Sequence, residues 1–206
     1  EANRFIMNRK VFGRTELTSS FTILLSTPDD SVEETTCKIH FDPTDTIFDV
    51  SRRIKAGIEA NRQQTNDDGT LKFAKFMMSV GFLPRMIVGL AKFLDHRGLL
   101  PRAIVDLSPF HTSMFITNMA SIGMHRVYHH LYNFGTTGQF FSLGMPIRET
   151  GMDIHGNVIR KRALHVGITA DERCCAGAVY AKLFATMRRC LADPHELEQP
   201  PESVRY

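Results

Sequence analysis

The feature that most constrains this chain lies near its end, where a strand turns directly into a helix. Val158–Ala170 alternates, with Leu164, Val166 and Ile168 on one face and His165, Gly167 and Thr169 on the other. That period of two predicts a strand. The stretch "ITADERCCAG" (Ile168–Gly177) then leads into Ala178–Leu191, whose apolar positions recur at helical spacing and which ends before Asp193-Pro194, where proline stops it. A strand feeding a helix buries both apolar faces only in a layered domain, so the chain reads as mixed α/β or α+β.

The remaining pattern agrees. Phe5–Phe12 is strand-like around an Asn8-Arg9-Lys10 turn, and Leu17–Ser26 and Val32–Phe41 read as two strands joined by Pro28–Ser31. Thr46 with Asp49 three residues on is a capping box, and Ile47, Val50, Ile54 and Ile58 predict a helix to about Arg62. Residues 63–69 form a polar loop. Leu71–Leu83 and Arg85–Asp95 read as two helices split by Pro84, each apolar over more than half its circumference. Burial against other helices or another subunit accounts for such width, and so does a basic membrane-surface hairpin with snorkelling Lys and Arg. Ser113–Met119 and Gly138–Met145 are further strands, Ile147–Asn157 a hairpin loop, and 195–206 a loosely held tail. No internal repeat is present.

The 206 residues carry 25 basic and 22 acidic side chains, a net charge of +3. So even a balance argues against nucleic acid as partner. Cys37, Cys174, Cys175 and Cys190 lack a metal-type C-x-x-C spacing, and the adjacent pair cannot readily bridge, so reduced thiols in the cytoplasm are expected. No 18-residue apolar run spans a bilayer. The opening, "EANRFIMNRK", enters strand-like sequence at once, and the expectation is a single domain over 1–206 that is partial at its N-terminus.

Two segments, "FITNMASIGMHRVYHHLYNFGTTGQFFSLG" (Phe115–Gly144) and "HVGITADERCCAGAVYAKLFATMRRCLADP" (His165–Pro194), together resemble the acyltransferase catalytic domain of the 2-oxo acid dehydrogenase complexes. The matching pattern is a Phe-Thr-Ile-Ser-Asn strand, a strand ending in Gly, then a strand into Asp-His-Arg-x-x-Asp-Gly and a helix closing with Asp-Pro. The segments before Arg62 fit more loosely, and residues 71–108 are a helical addition to the pattern. The resemblance implies a chloramphenicol-acetyltransferase-like mixed sheet with flanking helices, its first strand and helices missing here, along with any lipoyl or subunit-binding module. It further implies coenzyme A or acyl-CoA as substrate without a metal, a homotrimer or higher oligomer with each site between two subunits, and a lipoyl-bearing partner.

In that family the motif histidine takes a proton from a thiol, the thiolate attacks a thioester, and a hydroxyl on the first strand steadies the oxyanion. Here the hydroxyl is Thr117 with Asn118 beside it, and Asp171, Arg173 and Gly177 are kept, but the histidine is Glu172 and the motif aspartate is Ala176. An ordinary glutamate at about 4.3 lies roughly 4 units below a thiol at about 8.5, whereas histidine lies about 2 below. The difference is on the order of 3 kcal/mol, or about a hundredfold in rate. Burial raises a carboxyl enough to close that gap. Glu172 is therefore either an altered base or a structural carboxylate paired with a nearby Arg, and the chain either an acyltransferase or an inactive oligomeric binding or scaffold protein. Thr117, read as facing away from Met114 and Ile116, is either an oxyanion donor or a strand Thr bonded to a neighbour.

Other groups are weaker candidates. Cys174-Cys175 read as small buried filler. His125, His129 and His130 with Tyr128 and Tyr132 suit a turn of helix at an interface as well as they suit a metal, which needs three converging ligands. His165 lies seven residues before Glu172, about 20 Å along an extended strand, whereas His129 or His130 could reach the site from another element.

Overall fold

The computed structural model describes residues 2–26, 32–64 and 83–204. Strands β1 (Arg4–Met7) and β2 (Lys10–Gly13) form a small hairpin whose turn residues, Asn8 and Arg9, both take positive φ, as a tight two-residue hairpin turn requires. The main sheet has five strands in the order β4 (Val32–Phe41), β3 (Leu17–Ser26), β5 (Met114–Asn118), β6 (Gln139–Leu143) and β9 (Val166–Ala170). The β3–β5 and β5–β6 pairings are parallel and the two outer ones antiparallel.

One face of the sheet is covered by α1 (Ile47–Gln64). Its start is the expected capping box: the Asp49 amide donates to the Thr46 hydroxyl and the Thr46 amide to the Asp49 carboxylate. Ile54 and Ile58 then pack on Ile23, Cys37 and Ile39, one side of the β3–β4 pair.

The other face is crossed by the β5–β6 connection. Parallel strands need a crossover, usually a helix, but this one runs back over the sheet as extended chain, so the expected helical turn at His129–Tyr132 is not formed. Close contact is possible because the sheet is shaved to glycine beneath it. A Cβ on Gly167 would lie 2.3 Å from the Val127 carbonyl, and one on Gly144 2.4 Å from the Arg126 amide. The Ser142 hydroxyl bonds both to the Val127 amide and to its carbonyl. Further along, Tyr132 and His129 pack on Phe115 and Phe140.

Three expectations change. The 158–170 strand is two strands, because β8 (Val158–Ala163) pairs with β7 (Ile147–Met152) in a separate ribbon while β9 joins the main sheet. Residues read as a hairpin loop are therefore half strand. Phe115, not Met114 or Ile116, is the fully buried residue of β5, so Thr117 shares the buried residue's face. Pro84 sits in the first turn of α2 (Leu83–Arg97), where its missing N–H costs nothing. The helix expected from Leu71 falls, up to 82, outside the described residues. A short α3 (Arg102–Leu107) follows α2, and α4 (Gly177–Ala192) closes the chain ahead of a 3-10 turn at Pro194–Leu197.

Candidate functional site

The turn after β9 is built around Asp171. Its amide donates to the Gly138 carbonyl, which fixes the turn to the start of β6. Its carboxylate takes the Arg173 guanidinium with both oxygens, at 2.8 and 2.7 Å, and the Arg173 amide at 3.0 Å. Those bonds hold the Asp171 carboxyl below the usual carboxylate range. The Asp171 carbonyl accepts the hydroxyl of buried Tyr180, tying the turn to α4. Cys174 and Cys175 are buried beneath it, and burial pushes the Cys174 thiol up to about 11, which makes it filler and no nucleophile at neutral pH.

Glu172 sits at the apex. Its side chain is exposed, lies over Gly177, where a Cβ would come 3.3 Å from Oε1, and has no hydrogen bond or ion pair among the described residues. The nearby arginine is committed to Asp171, so the structural pairing considered for Glu172 is not made.

Thr117 is half-buried near the far end of β5, its hydroxyl 3.8 Å from the Met119 sulfur, and Asn118 is exposed beside it. Register places Thr117 level with Ser142 and Gly167. From that row to Ala170 is three residues along β9, about 10 Å, and two strands across, about another 10 Å. Glu172 lies two residues further still. Within one chain the hydroxyl and the carboxylate thus occupy opposite ends of the sheet. His165, bonded to Glu149 at 2.6 Å, stands at the Thr117 end, and His129 is stacked on Phe140 at 4.4 Å. Among the described residues no cluster of three His, Cys, Asp or Glu is placed to hold a metal.

A second group was not legible in the sequence. A cavity of about 350 Å³ opens between the β1–β2 hairpin, α2–α3 and the start of β5, lined by Arg14, Lys38, Asp95, His111 and Thr136 among others. Buried His111 bridges Asp95 (Nε2 to Oδ1, 2.8 Å) and Ser108 (Nδ1 to Oγ, 2.8 Å), and the other Asp95 oxygen accepts the Gly135 amide at 2.8 Å. On α2 the buried residue is the aspartate, Asp95, while Met86, Ile87, Val88, Leu90 and Phe93 are exposed, an inversion that no sequence pattern announces.

Dihydrolipoamide acetyltransferase of Azotobacter vinelandii, in which a serine, a histidine and an asparagine were investigated for their role in the catalytic mechanism, superposes with a TM-score of 0.58 at 12% identity over 95% of this chain. The chain has the fold of the dihydrolipoamide acetyltransferases. A probable dihydrolipoamide acetyltransferase from Listeria monocytogenes matches over 100% of the chain at 11% identity with a TM-score of 0.58. The cubic core of a pyruvate dehydrogenase multienzyme complex matches over 95% at 12% and 0.53. The chain spans 62–66% of the length of these relatives. No protein-family model and no curated protein matches its sequence. The expected mixed sheet with flanking helices is therefore the observed fold.

Proposed function

We propose that the protein transfers acyl groups between a thioester and coenzyme A at a site shared by two copies of the chain, with Glu172 of one as base and Thr117 of the other as oxyanion donor. The observation that carries this reading is the free carboxylate at the apex of the 171–177 turn, on an acetyltransferase fold whose strand hydroxyl lies at the opposite sheet end. A closed oligomer that docks one end of the sheet against the other end of its neighbour brings the two together.

In this scheme Glu172 accepts the proton of the attacking thiol as its sulfur bonds to the thioester carbonyl carbon. Thr117 donates to the oxyanion. The old C–S bond then breaks, and the departing thiolate recovers the proton. Asp171 and Arg173 hold the turn, Gly177 leaves room for the Glu172 carboxylate, and Asn118 borders the hydroxyl. A lipoyl-bearing chain fits the acyl-donor role, by analogy with the complexes that neighbouring structures come from.

A second reading, an inactive oligomeric scaffold, draws support from the exposure of Glu172, since within one chain nothing desolvates it. It also draws on α2, where Met86, Leu90 and Phe93 are all more than half exposed. That face suits a partner subunit or, with Lys92 and Arg97, an anionic membrane surface. No helix among the described residues is long and apolar enough to cross a membrane.

A panel of acyl-CoA thioesters, followed by free-thiol release, separates the two. Turnover above that of Glu172→Ala supports transfer, and its absence across the panel supports the scaffold. Flotation with anionic vesicles at low salt tests the membrane contact of α2.

A further inference from the structure

Arg14 lines the cavity beside the β1–β2 hairpin. Its Nε is buried with no hydrogen-bond partner among the described residues. One terminal nitrogen donates to the Thr136 carbonyl, and the guanidinium lies 4.7 Å over the Phe5 ring. Among the described residues no carboxylate pairs with it. The cavity's acids are already engaged: Asp95 by His111 and Gly135, Glu16 by Arg102 at 2.6 Å, and Asp106 by Arg102 at 3.8 Å. Lys38, on the same wall, donates its ammonium to the Val105 carbonyl at 2.9 Å, with Asp106 and Glu16 near enough to favour its charge.

A buried cation without a counter-charge is strongly unfavourable, and the usual resolution is a partner anion. Burial accordingly pulls Arg14 down to about 10 and lowers Lys38. The volume, about 350 Å³, is at the low end of the ~300–1,000 Å³ typical of small-molecule sites.

We infer that this cavity is a binding site for a small organic anion, a carboxylate or phosphate monoester, whose acidic head is held by Arg14 with Lys38 adjacent. The site uses none of the residues assigned to acyl transfer and stands whether or not Glu172 is a base.

The test is thermal unfolding of the purified chain with sodium acetate, succinate or inorganic phosphate, each at ionic strength matched with chloride. A saturable rise in Tm with at least one probe is expected, with the half-saturating concentration at least tenfold higher in Arg14→Gln. Succinate against phosphate separates the two head groups. Gly13 lines the cavity, and a Cβ there meets no atom within 4 Å. Gly13→Leu should thus also weaken the response, and it decides the matter if Arg14→Gln fails to fold. No rise beyond chloride with any probe, or a rise undiminished in these variants, overturns the assignment and leaves a trapped water as the guanidinium's partner.

Discussion

Asp171 and Arg173 grip each other through both carboxylate oxygens, and the residue between them, Glu172, is left on the surface of the turn without a partner among the described residues. The grip makes the turn acid-sensitive. The folded Asp171 carboxyl lies below its ordinary value, so its contribution is fully present above the unfolded pKa of about 3.9. It is lost as pH falls through the depressed folded value. Arg173→Ala should cost about 1 kcal/mol, because the guanidinium side of the pair is largely solvated. Urea melts at pH 7 and pH 3 check this: the variant's deficit should shrink at the lower pH.

Glu172→His restores the family's residue at the apex. If the turn carries the base, thiol release from acyl-CoA should rise by about a hundredfold, the factor separating an ordinary carboxylate from an imidazole facing a thiol. An unchanged rate would place the base elsewhere.

Gly167→Ala should be severely destabilising. The new methyl would meet the Val127 carbonyl and the Ser142 hydroxyl, at 2.3 and 2.5 Å, so the β5–β6 connection would have to lift off the sheet. A loss of about 3 kcal/mol is expected by denaturant titration, at the upper end for overpacking.

Thiol labelling distinguishes filler from reactive cysteine. At pH 8 the raised Cys174 thiol should carry about a hundredfold less thiolate than an ordinary cysteine, and react correspondingly slowly. Half-buried Cys190 should label first, as peptide mapping would show.

What the sequence disclosed was local. The Thr46–Asp49 capping box, the Thr-, Phe- and Ile-rich strand Leu17–Ser26 and the Asp193-Pro194 stop are written within a few residues, and each is found where expected. The break between β8 and β9 was not legible, because the alternation runs on through Leu164 and only the choice of different partner strands separates the halves. The Arg14–Asp95–His111 cavity was invisible for a related reason: three ordinary residues, 81 and 16 positions apart, meet only through tertiary packing. For the candidate site, residue types were legible but distance was not. Nothing in a linear pattern states that Thr117 pairs level with Gly167, which is what puts it at the wrong end of the sheet to meet Glu172 of its own chain.

That separation is tested most directly by mixing inactive chains. Thr117→Val and Glu172→Gln should each fall to background in acyl-CoA turnover when assembled alone. Unfolded together in equal amounts and refolded, they should regain about a quarter of the wild-type rate, since random pairing joins an intact Glu172 to an intact Thr117 at about one interface in four. A mixture that stays at background, beside a wild type that turns over thioester, would contradict a site shared between two copies.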